Sequence, residues 1–239
     1  MARVRPCLLL VPEFTEIEWT IRPLLEEWAT VRSYDPPYEP RPSQLSREDL
    51  VERGLVELDA LGCEKTFLVA DGWGIPTAAQ IAAQRPSAIA GLACGHARLS
   101  NRRDGPNPPI NPEVYAAMTQ LIDSDAPSFV RFAIAQVTGG SVNEDLAERM
   151  LERLPVDAMA EGWAAITADE PFAEVLTGLT CPLLFAKHEG CLMSTDEGFD
   201  EAATRIPRAE TVGVTDAPTT SQAFADALRQ FCLLVHNER

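Results

Sequence analysis

Apolar residues along this chain fall into short continuous runs rather than strict alternation. Cys7-Leu-Leu-Leu-Val11, Thr66-Phe-Leu-Val-Ala70, Ala88 to Cys94 and Pro182-Leu-Leu-Phe-Ala186 each read as a strand buried on both faces, as in a parallel sheet. Thr30 to Tyr34 and Glu210 to Val214 read as further short strands. Between these runs the period lengthens. Trp19 to Trp28 carries an apolar stripe through Ile21, Leu24, Leu25 and Trp28 and predicts a helix. Ser46 and Asp49 form a capping pair that opens a helix ending near Leu61, with Gly62 as its stop. Thr77 to Gln84 is a helix of small residues closed by Arg85-Pro86. Asp196 to Arg205 and Ser221 to His236 predict two more helices. The run Asp35-Pro-Pro-Tyr-Glu-Pro-Arg-Pro42 is a loop, because proline removes donors and fixes φ.

Strands alternating with helices imply an α/β protein with a mostly parallel central sheet covered on both faces. The stretch from about Ala97 to Leu179 breaks this rhythm. A loop rich in Pro, Asn and Arg (Asn101 to Pro112) leads into helical patterns only: Glu113 to Ile122, Pro127 to Val137, Val142 to Leu154, Val156 to Ile166, and a shorter one within Glu170 to Leu179. The simplest organisation is a core domain of residues 1–97 and 180–239 with a helical cap, residues 98–179, inserted into it.

Composition adds limits rather than chemistry. The chain has 239 residues, enough to bury a sizeable core, and its apolar share of 46% and charged share of 23% are ordinary for a globular protein. The net charge of −16 is not ordinary. It repels nucleic acid and anionic lipid, so neither is an expected partner. Six cysteines lie far apart and form no CxxC pair, so a zinc ribbon or thioredoxin motif is absent. Cys7, Cys63 and Cys181 border apolar runs, where a reduced thiol behaves as a small hydrophobe. With no leader-like apolar segment before the first strand, a reducing, cytoplasmic setting is expected.

The segment Leu68-Val-Ala-Asp-Gly-Trp-Gly-Ile-Pro-Thr-Ala-Ala-Gln-Ile-Ala-Ala-Gln-Arg-Pro86 resembles the α/β-hydrolase superfamily at its strand, nucleophile elbow and small-residue helix. Three other segments agree with that resemblance: Leu9 to Trp19 as first strand, oxyanion loop and tryptophan; Thr180 to Ala186 as the strand before the acid; and Ile206 to Glu210 with Phe224 to Phe231 as the C-terminal pattern around the histidine. The resemblance implies an α/β-hydrolase fold with an inserted helical cap. It also implies a nucleophile at the position held by Gly72, which has no side chain to attack with. Pro12-Glu13 stands where the oxyanion loop usually begins with His-Gly, Cys191 lies nearest the acid position, and Val214 to Gln222 contains no histidine. By this resemblance the catalytic triad is degenerate, and a conventional serine hydrolase is not expected.

Other residues remain as candidates for chemistry. Asp71 precedes the elbow position, and His188 and Glu189 follow a strand end, where ligands bind in open α/β sheets. Cys94 and His96 lie two apart on one strand and so share a face, which allows a Cys-His contact. Asp71, His96, His188 and Glu189 are therefore the candidate acid–base residues. Glu13, Phe14, Gly72, Trp73, His96 and Cys191 are the candidate ligand contacts, with the Trp73 backbone amide available to an anion or carbonyl. Asn101-Arg-Arg103 reads as a solvated loop that can also receive an anionic group, and His236 near the C-terminus reads as inert. No cofactor and no metal are expected. The expected function is that of a non-hydrolytic member binding a small, mainly apolar or amphipathic molecule in a regulatory or accessory role, with homo-oligomer formation open. The alternative is an enzyme of altered chemistry, a lyase, cyclase, isomerase or atypical hydrolase, which requires that two of the acid–base candidates meet inside the pocket.

Overall fold

The apolar runs assemble as one sheet in the computed structural model, which describes residues 5–37, 45–137, 142–154, 156–169 and 172–237. Its strands are β1 (Cys7–Val11), β2 (Thr30–Ser33), β3 (Thr66–Asp71), β4 (Ile89–Gly95), β5 (Leu183–His188) and β6 (Glu210–Val214). They are ordered β2-β1-β3-β4-β5-β6, and every neighbouring pair is parallel. β3 and β4 are buried along their whole length, which is why their sequences are continuous apolar runs.

Helices cover both faces. One face is packed by α2 (Arg47–Leu61), α3 (Ile75–Gln84), α8 (Ala173–Gly178) and α9 (Asp196–Arg205), and its apolar cluster includes Leu9, Leu68, Ile81, Leu92, Phe185 and Ile206. The other is packed by α1 (Arg22–Glu26) and α10 (Gln222–Asn237) through Trp19, Leu25, Phe67, Phe224, Leu228 and Phe231. The Ser46–Asp49 capping box is present, and Gly62 stops α2 in the left-handed conformation at φ +64°.

A third apolar cluster lies at the C-terminal end of the sheet. It joins Phe14 and Trp73 to α4 (Pro112–Ser124), α5 (Ala126–Val137), α6 (Glu144–Arg153) and α7 (Val156–Thr167), and it centres on Trp163. Polar ties fasten this layer to the sheet domain. Buried Arg47 donates to Thr77 Oγ1 and to the Ile166 carbonyl, and Asn101 Nδ2 donates to the Ala168 carbonyl. α8 differs from the four helices before it, because Phe172 and Leu176 pack with the sheet cluster.

Two expectations need correction here. The segment Trp19 to Trp28 is not one helix: a 3-10 turn covers Glu16–Glu18 and α1 covers only Arg22–Glu26. The Ile21 amide is taken by the Thr219 carbonyl, and Pro23 suits a helix start but not its interior. Cys7 and Cys63 are not reduced thiols but a disulfide that joins the start of β1 to the loop after α2. The part of the proline-rich loop from Tyr38 to Pro42 lies outside the described residues. Among the described residues no helix is long and apolar enough to cross a membrane.

The disulfide closes a loop of 56 residues, so it restricts the unfolded chain appreciably. Cys63→Ser is expected to lower unfolding stability by about 2–4 kcal/mol. Urea denaturation of the variant, and of the wild type with and without reductant, measures this; identical midpoints would show that the bond is not formed in the folded protein.

Candidate functional site

Sheet register brings the chemistry together. β3 and β4 pair with Asp71 opposite Gly95, and β4 and β5 pair with Gly95 opposite Ala186. Asp71 ends β3, His96 is one residue past β4, and His188 ends β5, so three adjacent strand ends deliver all three side chains to one place. The His96 amide donates to the Ala186 carbonyl, but its φ of +52° is left-handed, an uncommon state for a residue with a side chain. This turns the ring off the strand's face. The Cys94–His96 contact that the spacing allows therefore does not form: Cys94 is buried in the sheet core, and burial pushes its thiol up.

Asp71 Oδ1 accepts from His96 Nδ1 at 2.6 Å, and His96 Nε2 lies 2.8 Å from His188 Nδ1. Asp71 Oδ1 also accepts from the Gly72 amide at 2.9 Å. Gly95 makes this approach possible, since a Cβ there would stand 2.5 Å from Asp71 Oδ1 and 2.5 Å from Pro218 Cγ. Cys191 completes the group from the loop after β5. That loop is fixed from outside, because the Met193 carbonyl accepts from the Asn111 amide and Thr195 bonds the Pro108 and Pro109 carbonyls. The Ser194 amide donates to Cys191 Sγ at 3.4 Å.

These contacts set the charges. Burial opposes an imidazolium at His96, yet the Asp71 and Cys191 charges and their hydrogen bonds hold its pKa well above the ordinary value. Burial also opposes a thiolate at Cys191, but the His96 charge, hydrogen bonds with His188 and His96, and the Ser194 amide bring the thiol down to about 5.

Glu13 fills the space beside Gly72. A Cβ built on Gly72 would stand 1.9 Å from Glu13 Oε1, and Gly72 has φ +39°. Glu13 Oε1 accepts from the Trp73 amide at 2.7 Å. The Trp73 amide is thus already engaged, contrary to the expectation that it is available to a ligand. Loss of water, reinforced by the Asp71 and Glu18 charges, raises the Glu13 carboxyl well above its usual range. Glu18, buried behind it, accepts from the Glu13, Phe14 and Thr15 amides and shapes the loop after β1.

The cavity over these groups has about 550 Å³ of space free of protein atoms, counting the part open to solvent. Glu13, Phe14, Asp71, Gly72, Trp73, His96, His188 and Cys191 all line it. Phe14 and Trp73 in that lining are backed by Trp163, which stacks on Tyr115 and Phe14 and meets Trp73 edge-on. Glu189 does not join the group. Its side chain is exposed and faces Gly213, because its amide pairs with the Val214 carbonyl and continues the edge pairing. His236 packs edge-on against Phe67 on the far side of the sheet. Asn101 is buried and holds the helical layer, and Arg103 covers the Tyr115 ring and donates to the Thr167 carbonyl.

Sequence reasoning missed Met118, Ala133, Met193 and Ser194 in the lining, and it missed one charged group. Arg98, only 1% exposed, lines the cavity with its guanidinium 4.5 Å from the Trp73 ring centroid. Nε donates to Asn101 Oδ1, Nη1 reaches Ser194 Oγ at 3.5 Å, and buried Nη2 has no hydrogen-bond partner among the described residues. A buried guanidinium N–H left unpaired is costly, and an acceptor on a ligand would satisfy it. The only available signal was Arg98's place two residues beyond His96 at a strand end.

No protein-family model matches the chain, and no curated protein matches it. Solved structures do. A hydrolase from Oleispira antarctica superposes with a TM-score of 0.77 at 14% identity, over 96% of this chain and 91% of that one. A thermophilic esterase from Thermogutta terrifontis gives 0.76 at 19% identity, over 98% and 91%. A bromoperoxidase from Bacillus anthracis gives 0.76 at 15% identity, over 95% and 91%. The chain has the α/β-hydrolase fold. At these identities the likeness establishes architecture, and the chemistry must be argued from the side chains of this α/β-hydrolase-fold protein.

Two predictions follow from the carboxylates. Gly72→Ala should cost about 1–3 kcal/mol, from a left-handed backbone and displacement of Glu13 from the Trp73 amide. Adding Glu13→Ala should return part of that loss in a double-mutant cycle by urea denaturation; a neutral Gly72→Ala would show that Glu13 does not occupy the space. Burial raises Glu18 from 4.5 to about 8. A raised carboxyl contributes stability that is present below pH 4.5 and lost as pH rises through about 8. Melting temperature should therefore show a falling contribution across that window, and Glu18→Gln, which mimics the neutral acid, should flatten it. An unchanged slope would refute the assignment.

Proposed function

We propose that this chain is an enzyme of altered chemistry on the α/β-hydrolase fold, acting on a small molecule through acid–base groups that the elbow residue does not supply. The observation that carries this reading is the chain of contacts Asp71–His96–His188 inside the cavity, at 2.6 and 2.8 Å. An orienting carboxylate, a central imidazole and a second imidazole within hydrogen-bond reach form a route for moving a proton to or from a bound substrate. Cys191 adds a thiol at the same point.

The conventional triad reading is set aside in favour of this one, because Gly72 has no heteroatom and Glu13 stands in the space its side chain would need. The Trp73 amide, already donated to Glu13, is also not free to stabilise negative charge developing there. Within this reading, residues 98–179 serve as a cap that closes the cavity. The substrate combines an apolar body, received by Phe14, Trp73, Met118 and Met193, with an acceptor group that meets Arg98 Nη2. A lyase, isomerase or atypical hydrolase fits these groups. The cytoplasmic setting expected from sequence is opposed by the Cys7–Cys63 disulfide, since such bonds persist mainly in oxidising compartments.

A second reading keeps the cavity and drops the chemistry: a non-catalytic binder of an apolar small molecule, favoured by Phe14, Trp73, Met118 and Met193 in the lining. One panel separates the two. Purified protein is tested with p-nitrophenyl esters, small lactones and 2-oxo acids, the last by NMR detection of proton exchange in deuterated water. The acid–base reading expects turnover in at least one class that falls about 10²–10⁴-fold in His96→Gln. Turnover insensitive to His96→Gln would sink it, and a wild type that binds panel members without turning any over would establish the binder instead.

A further inference from the structure

The same cluster has the composition of a metal centre. His96, His188 and Cys191 each offer one ligand atom, and the three atoms lie within 4.8 Å of one another. We propose that His96 Nε2, His188 Nδ1 and Cys191 Sγ bind a divalent zinc ion, with Asp71 as the positioning carboxylate behind His96 and the fourth coordination position open to the cavity. This deepens the acid–base reading, since it rests on the same residues, but it stands or falls on ion binding rather than on turnover.

Three features beyond proximity support it. First, the donor set suits the ion. Two imidazoles and one thiolate are the mixed nitrogen–sulfur ligands that zinc takes, and three protein ligands with one open position is the arrangement of reactive rather than structural zinc sites. Second, the hydrogen bonds around the ligands point the right way. Asp71 accepts from His96 Nδ1 at 2.6 Å and keeps a proton there, so that Nε2, 2.8 Å from His188 Nδ1, becomes a ligand once the proton of that contact is released on metal binding. A carboxylate behind a ligating histidine fixes both tautomer and ring orientation. The Ser194 amide directed at Cys191 Sγ supports the thiolate in the same way. Third, the required movement is small. The two imidazole nitrogens stand 2.8 Å apart, whereas ligands of tetrahedral zinc at bond lengths of about 2.0–2.1 Å stand roughly 3.3 Å apart. A separation of the two rings by about half an ångström, with release of the bridging proton to solvent, exchanges the hydrogen bond for two metal bonds.

The cavity then gives the ion a purpose. Its open position faces the space lined by Trp73, Met118 and Met193, with Arg98 alongside. A ligand with an acceptor for Arg98 would present its adjoining carbonyl or a water to the metal, which can polarise the one or activate the other. Spacing along the chain carries no sign of this site, because His96 and His188 are 92 residues apart and neither belongs to a ligand-spaced motif.

The test uses the full chain with its disulfide intact. Protein stripped with a chelator is titrated with zinc against a chromophoric competitor, and in parallel with cobalt, whose thiolate charge-transfer and tetrahedral bands report the ligands directly. The expected result is one ion per chain and both cobalt signatures. Cys191→Ser should abolish the charge-transfer band and His188→Ala should weaken binding at least 100-fold, while Asp71→Asn weakens it 10–100-fold. His236→Ala, outside the cluster, should bind as the wild type does. Circular dichroism identifies any variant that has failed to fold, and Cys191→Ser, a near-isosteric change, keeps the question answerable if His188→Ala is lost. Wild type that takes up no stoichiometric ion, or uptake indifferent to Cys191→Ser, overturns the assignment. The two readings separate cleanly: zinc binding without turnover removes the enzyme and keeps the metal site, and His96-dependent turnover by chelator-stripped protein that binds no zinc does the reverse.

Discussion

The contact between Asp71 and His96 is the constraint around which the site is organised. A carboxylate only 2% exposed must find donors, and it finds the His96 ring and the Gly72 amide. Each partner then carries a backbone consequence. Gly95 must lack a side chain for Asp71 to approach, His96 must take a left-handed φ for its ring to turn inward, and Gly72 holds φ +39° as the chain turns from β3 into α3. Such strained positions persist only where the surroundings over-determine them. Here the parallel register of β3, β4 and β5 does so, through Asp71 opposite Gly95 and Gly95 opposite Ala186.

A second carboxylate, Glu13, is seated at the turn from β3 into α3, where the Trp73 amide is presented. Glu13 bonds that amide and covers Gly72, and Glu18 holds the loop that delivers it through three backbone amides. Burying two acids near Asp71 costs desolvation and repulsion, which is why both are raised. Arg98 offsets part of this as the nearby buried cation, while keeping one N–H for something else.

The sheet was legible in the sequence because strands buried on both faces need continuous apolar runs, and β1, β3, β4 and β5 each carry one, polar residues standing only at strand ends such as Asp71 and Lys187-His188. Ser46, Asp49 and Gly62 marked α2 because caps follow local backbone chemistry that distant residues do not alter. The site was legible only residue by residue. Asp71, His96 and His188 were recognisable as strand-end groups, but their mutual contact depends on sheet order, which periodicity does not report. Alternation along β4 allowed a Cys94–His96 contact, and one φ value decides against it. The Cys7–Cys63 bond was hidden for a related reason: pairing depends on where β1 meets the loop after α2, and spacing along the chain is silent on that. Arg98 had no motif at all, and only its burial with one unsatisfied N–H distinguishes it.

Arg98 also reconciles the molecule's charge with its cavity. A surface carrying a net charge of −16 disfavours anions at long range, yet screening confines that effect to about 8–10 Å at moderate ionic strength. Inside the cavity the balance is local. His96 and Arg98 face Asp71 and Cys191, with the Glu13 carboxyl held toward its neutral form, so added negative charge is uncompensated unless a proton or a metal ion enters with it. A divalent ion on the two histidines and the thiolate would supply that compensation at the point where an acceptor group leaves Arg98 satisfied. The unpaired guanidinium and the His-His-Cys triangle thus make one demand from two sides: a ligand with an acceptor at one end and a metal-facing oxygen next to it.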